Sequence, residues 1–299
     1  MNSKVKGVIA GVVAAVCYGT NPLGAKFLYA DGINTNTVLA HRFGIAMIIL
    51  GIIMIVKKMS FKVTKREFGI LASLGALFAV SSMTLYYSFL HMDAGIASTL
   101  LFVYPMMVAI IMTLFFKEKL TWVTVTSILL AFAGIFMLNG ANGEGTLNAI
   151  GVILVMVSSL TYAVYIVIIN RTQIKLPSIK MTFYVLLTCV SCIIIHSFFK
   201  PETHLMLLTT PRQYGFALML AVVPSIMALV LLTVSIRHIG STPSAILGAL
   251  EPLTAVMIGI FVFKETFTLR LAGGIVLILS GVLLIILGKK SNSSQQNPS

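Results

Sequence analysis

Long apolar runs alternate with short polar breaks along the whole chain, and the runs recur at lengths suited to crossing a membrane. They predict helices over 5–28, 35–56, 67–90, 95–116, 121–139, 147–169, 180–199, 213–236, 241–263 and 269–288. Each is near the ~20 residues that a helix rising ~1.5 Å per residue needs to cross ~30 Å of hydrocarbon. Strands of a membrane barrel would be about half as long and would alternate polar with apolar positions. Gly44–Val56 and Ile275–Leu287 are instead almost unbroken apolar runs with no wet face. The pattern therefore predicts an all-α integral membrane protein of ten transmembrane helices. Composition agrees: 58% of the 299 residues are hydrophobic and 10% are charged, against about 25% charged in a soluble domain.

Lys4 and Lys6 ahead of an apolar stretch raise the question of a secretory signal. The sequence argues against it, because no clean small-x-small site follows, and Val16 in Ala14-Ala15-Val16-Cys17 stands where a lipoprotein signal needs a small residue. Cys17, Cys189 and Cys192 all fall inside predicted spans and read as small apolar packing residues.

The charges then assign a side to each loop. With a cytoplasmic N-terminus, fifteen Lys and Arg lie in inner segments, five in outer segments, and Arg42 lies within a span. That bias follows the positive-inside rule for an even number of crossings, and predicts an inner (plasma) membrane protein with both termini cytoplasmic. The net charge of +13 is then a rim beside anionic lipid headgroups and implies no nucleic acid. Lys289-Lys290 reads as a stop, with 289–299 a disordered cytoplasmic tail.

Laid on itself with an offset of 147, the chain pairs Pro105 with Pro252, Lys117-Glu118 with Lys264-Glu265, and Gly134 with Gly281. An offset of 144 pairs Gly7 with Gly151 and Tyr18 with Tyr162. The expected organisation is a first five-helix repeat over 1–140 and a second over 147–288. Five is odd, so the second repeat must enter the membrane upside down. Inverted repeats of this kind build many secondary transporters.

Arg42 lies about seven residues inside its span, roughly 10 Å deep at ~1.5 Å per residue. Two readings stay open: a side chain snorkelling to the interface, or a guanidinium facing a wet cavity where it holds an anionic group. His41, about 100° around the helix, need not share that face. Glu251 falls near mid-membrane, where an ionised carboxylate is costly unless paired or in a polar cavity. Ser244, Gly248 and Glu251 follow i, i+4, i+7 as one small polar stripe; packing between helices is the alternative. Tyr104 is the equivalent of Glu251 in the first half. Pro105 and Pro252 remove backbone donors and should bend their helices or free a carbonyl. Tyr18 and Asn21 on the first span, answered by Tyr162 and Tyr165 on the sixth, and Tyr86 on the third, add hydroxyls and rings that can hold a substrate. Glu118 and Glu265, each beside a lysine at a helix end, read as structural pairings. No P-loop and no metal-ligand spacing occurs, so no cofactor is expected and energy comes from a gradient or a separate partner. An intramembrane enzyme or a non-transporting scaffold are the competing classes.

Together these residues resemble the drug/metabolite transporter superfamily and its EamA-like branch over nearly the whole chain. Tyr18-Gly19-Thr20-Asn21-Pro22 with Lys26 looks like that family's aromatic-Gly-Ser-Asn segment and following basic residue, and Arg42-Phe43 like its Arg-Phe. Pro105, Glu118 and Gly134 look like the end of one EamA repeat, and Pro252, Glu265, Gly274 and Gly281 repeat it. Departures are Lys117 and Lys264, where the family often has Gly, and Ser127, the counterpart of Gly274. The resemblance implies ten helices, alternating access around a central cavity, and a small-molecule metabolite such as an amino acid or derivative, commonly exported across a bacterial inner membrane. It leaves proton coupling, substrate and oligomeric state open.

Overall fold

A computed structural model describes residues 3–116, 122–138, 148–172, 176–239, 244 and 247–295. Its regular elements are helices: α1 (Ser3–Gly19), α2 (Asn21–Ala30), α3 (Thr35–Val56), α4 (Lys65–Ser88), α5 (Ala94–Leu101), α6 (Tyr104–Phe116), α7 (Trp122–Leu138), α8 (Ala149–Thr172), α9 (Ser178–Ser197), α10 (Pro211–Ala221), a π-turn (Val222–Met227), α11 (Ala228–Ile239), α12 (Leu250–Phe263) and α13 (Leu269–Gln295), with a 3₁₀ turn at Pro201–Thr203. Seven helical stretches are long and apolar enough to cross a membrane: Lys4–Ala30, Thr35–Val56, Lys65–Ser88, Ala94–Phe116, Ala149–Ile169, Ser178–Ser197 and Pro211–Ile236. Val125–Leu138, Leu250–Phe263 and Leu269–Leu284 are shorter apolar helices. The chain is an all-α, multi-pass membrane protein. Its outer surface carries exposed Ile48, Ile52, Ile55, Phe115, Phe132 and Phe136, which suits contact with lipid tails and would be a liability in water.

Prolines interrupt the apolar runs, and at two of them, Pro105 and Pro224, a serine hydroxyl supplies the missing donor. The first expected span breaks at Thr20, whose hydroxyl donates to the Cys17 carbonyl (2.7 Å), and Pro22 occupies the first turn of the helix that restarts at Asn21. The fourth breaks between Leu101 and Tyr104. Pro105 has no N–H for the Leu101 carbonyl four residues back. The Ser159 hydroxyl of α8 supplies the missing donor, 3.1 Å from the Leu101 oxygen. Helix α12 restarts at Leu250, two residues before Pro252. A break not foreseen lies at Pro224, where a π-turn absorbs the missing donor and Ser225 Oγ donates to the Leu220 carbonyl (2.9 Å). π-bulges of this kind often mark functional positions.

Helices α7 and α13 cross through small residues. A Cβ on Gly134 would lie 2.8 Å from the Gly274 carbonyl oxygen, and one on Gly274 would lie 3.0 Å from that of Gly134. A Cβ on Gly281 would lie 2.7 Å from the Ser127 carbonyl oxygen. Under the 147-residue offset these contacts are images of each other, which shows why Ser127 tolerates the exchange for glycine: it presents its backbone there. Its buried hydroxyl turns back to the Val123 carbonyl.

Glu265 does not pair with neighbouring Lys264. It reaches Lys26 of α2 (2.5 Å) and accepts from the Ala94 and Gly95 amides at the start of α5, so one carboxylate joins a cation to the positive end of a helix. Gly259 makes room, because any Cβ there would collide with this carboxylate. Lys264 closes α12 with φ of 58°, a left-handed position that glycine adopts without strain, which is the physical content of its departure from the family pattern. Helix α13 runs on to Gln295, so helix occupies most of the segment expected to be a disordered tail. No proline or glycine stops it between Lys289 and Gln295. Lys117, Glu118 and Ser241 lie outside the described residues.

Candidate functional site

Asn34 starts α3 by accepting the Thr37 amide at 2.9 Å, and two turns on the helix delivers Arg42 to the bundle interior. The snorkelling reading does not hold: Arg42 is only 7% exposed and its contacts point inward. Nε donates to Ser225 Oγ (2.9 Å) and Nη1 to the Tyr86 hydroxyl (2.5 Å). The Tyr86 hydroxyl continues to Asn21 Oδ1 at 3.4 Å. Its guanidinium also lies 4.8 Å from the Phe43 ring centroid and 5.5 Å from that of Tyr86. Ser225 is a residue that the sequence reading missed; Pro224 beside it, mid-span, was the available signal. Three of the five guanidinium protons have no partner among the described residues.

An aromatic chain continues from the arginine. Phe43 packs on Phe78 (5.3 Å), Phe78 on Tyr165 (5.8 Å), Tyr165 stacks on Tyr162 (5.7 Å), Tyr162 meets Tyr104 edge-on (4.9 Å), and Tyr104 meets Phe102 (5.8 Å). These separations are those of favourable aromatic pairs. They place α3, α4, α8 and the α5–α6 break around one space. The break at Leu101–Tyr104 aims Tyr104 into it, and the Ser159 bond fixes that break.

Glu251 enters from the first turn of α12. Gly19 lets α1 approach it closely, since a Cβ there would come within 2.7 Å of the Glu251 carbonyl oxygen. The Glu251 side chain lies within electrostatic reach of Arg42, Tyr18, Tyr104 and Tyr162. It forms no ion pair and no hydrogen bond among the described residues. The hydroxyls of Tyr18, Tyr104, Tyr162 and Tyr165 likewise have no hydrogen-bond partner there. Glu251 and all four tyrosines keep part of their surface accessible. Buried polar groups are normally satisfied by protein or water, which sets these five side chains apart from the hydrogen-bonded polar groups elsewhere in the bundle.

Tyr18, Arg42, Tyr104, Tyr162 and Glu251 are thus brought together. Tyr86 holds the guanidinium directly, and Asn21 accepts from the Tyr86 hydroxyl. Ser244 is not brought to this space: it is buried, and its hydroxyl bonds to Ser235 at 2.8 Å, the packing alternative for that stripe. His41 turns back to the Thr37 carbonyl at 2.8 Å. Among the described residues no group of three or more His, Cys, Asp and Glu is placed to hold a metal ion.

The chain matches the model of the EamA-like transporter family twice, over residues 5–140 and 149–287. It is 22% identical over 298 residues to the "Uncharacterized transporter YcbK" of Bacillus subtilis, covering 94% of this chain and 95% of that protein. An "Uncharacterized transporter" of Archaeoglobus fulgidus is 27% identical over 192 residues, 64% of this chain and 67% of the other. The "Uncharacterized transporter YvbV" of Bacillus subtilis is 24% identical over 215 residues, 69% of each. A solved crystal structure superposes with a TM-score of 0.67 at 16% identity, over 96% of this chain and 99% of the other, a likeness of fold.

Proposed function

We propose that this chain, which belongs to the EamA-like transporter family and is a secondary transporter rather than an enzyme, moves a small polar or amphipathic metabolite by alternating access through the space between Arg42, Tyr18, Tyr104, Tyr162 and Glu251. One observation carries the reading: among the described residues, three Arg42 guanidinium protons, the hydroxyls of Tyr18, Tyr104, Tyr162 and Tyr165 and the Glu251 carboxyl have no protein partner, and these groups lie within electrostatic or ring contact of one another. A scaffold would gain nothing from leaving such groups unsatisfied in a membrane.

The architecture we propose is ten spans in two inverted repeats, 1–140 and 147–288, in the plasma (inner) membrane with both termini cytoplasmic. Helix partnerships support it, since α1 packs along α11 as α8 packs along α4, and α1 meets α12 as α8 meets α6. Swapping the halves exchanges the members of each pair. Pro105 and Pro252 begin the equivalent helices α6 and α12 and are the proposed hinges. On this topology the Lys26–Glu265 pair lies on the outer side, and it must separate for the cavity to open outward. Export from the cytoplasm rests on the family resemblance alone.

Single cysteines at Ser60 and Glu202, both exposed, test the topology in a background lacking Cys17, Cys189 and Cys192. An impermeant maleimide added to intact cells is expected to label position 202 and spare position 60. The reverse pattern sinks the orientation. Counterflow of a metabolite panel in proteoliposomes tests the activity, and no saturable exchange of any solute would refute transport.

A further inference from the structure

Arg42 is held by two neutral hydroxyls, Ser225 and Tyr86, and no carboxylate lies within ion-pair distance of it among the described residues. Its charge is therefore oriented by direct contact but not cancelled by it. The compensating charge in the space is Glu251, which shares it at a distance. Among the described residues, the elements packed most closely on α12 bring no other charge to bear. Helix α1 presents Tyr18, α5 has no titratable residue, and the Lys26 of α2 is committed to Glu265. Across the space, α6 and α8 present Tyr104 and Tyr162. With Glu251 ionised and the space empty, Arg42 and Glu251 sum to zero.

An oxyanion entering this space finds three free guanidinium protons in planar array and a wall of rings for an apolar body. It also adds a negative charge where a net charge is costly, because the surrounding medium is lipid and protein. Binding one proton at Glu251 restores the balance: empty, the pair is guanidinium and carboxylate; loaded, it is guanidinium, solute anion and neutral carboxyl. A dianion would leave one charge uncompensated, and a neutral solute would leave the guanidinium donors without a counter-group. Resting on the transport reading above, we infer that the transported species is a monoanion with an apolar body, and that Arg42 and Glu251 make its movement electroneutral, one proton travelling on Glu251 with each anion and returning to water on release.

The probe is benzenesulfonate, which stays anionic at every accessible pH, so a proton that moves with it must ride on the protein. Purified full-length chain in proteoliposomes is expected to take it up saturably, driven by an acidic exterior at zero membrane potential. A potential set with potassium and valinomycin should leave the rate unchanged. Benzenesulfonamide and benzene-1,3-disulfonate are expected to move at least tenfold more slowly. Glu251→Gln fixes the neutral form, so uptake should lose its pH drive and become sensitive to potential, rising when the interior is positive. Glu251→Asp keeps the carboxyl and should keep the pH drive, which separates this result from misfolding. Wild-type uptake that follows potential, or a Gln variant still driven by pH, overturns the coupling. Exchange of neutral or cationic solutes with none of the anions overturns the anion assignment and leaves transport standing. No exchange of any solute fails the transport reading itself.

Discussion

Replacing Arg42 with alanine is expected to lower saturable exchange of anionic solutes by about two orders of magnitude, the scale of losing a buried charge-assisted contact. The loss has two sources. A substrate anion loses its donors, and the Ser225 and Tyr86 hydroxyls lose the group that they orient. Arg42→Lys separates charge from geometry. An ammonium keeps the positive charge but lacks the planar fork, and if it kept both hydroxyls only one of its three donors would remain for a ligand, against three of five in arginine. Its exchange of anions should fall by roughly tenfold or more, while any neutral solute carried by the wild type is spared. Counterflow at matched insertion levels reads both variants. Equal rates for wild type and Arg42→Lys on every solute would remove Arg42 from the site.

Gly134→Val is expected to be the most damaging packing change. The new side chain would press its Cβ to 2.8 Å of the Gly274 carbonyl oxygen and 2.6 Å of an Ile278 side-chain carbon. Backbone at a helix crossing cannot swing aside as a side-chain tip can. Overpacking of this kind costs about 1–3 kcal/mol or more, and lipid provides no hydrophobic drive to push α7 and α13 back together. The purified variant should lose its monodisperse gel-filtration peak at a temperature several degrees below wild type. Gly44→Ala is the control, because nothing lies within 4 Å of a Cβ there and alanine favours the helix by about 0.5–1 kcal/mol. If Gly134→Val matches Gly44→Ala in thermal stability, the close crossing is not as described.

The apolar runs in the sequence already announced an all-α, multi-pass membrane protein, because a helix satisfies its own backbone in lipid. Pro105 and Pro252 announced breaks for the same reason: a missing N–H has a fixed address, four residues back. Depth was legible too, which is why Arg42 and Glu251 stood out. What a membrane sequence hides is direction around the helix, since lipid-facing and core-facing sides are both apolar and periodicity is nearly silent. Ser244 and Glu251 share a stripe on paper, yet Ser244 bonds to Ser235 while Glu251 lies within electrostatic reach of Tyr18, Tyr104 and Tyr162. The aromatic chain from Phe43 to Phe102 draws on separate helices and has no signature along the chain. Neither has the Lys26–Glu265 pair, whose members lie 239 positions apart. Ser225 was readable only through Pro224, and then only as a disturbed turn, since nothing local says that Arg42 fills it.

Solute is expected to pass between Tyr162, Tyr104 and Glu251. A single cysteine at Tyr162, in a background lacking the native cysteines, tests it most directly when counterflow is measured before and after modification with a maleimide. Modification is expected to abolish exchange, and a saturating concentration of a transported solute should slow the modification itself. A fully modified protein that exchanges solute at the unmodified rate would contradict the account.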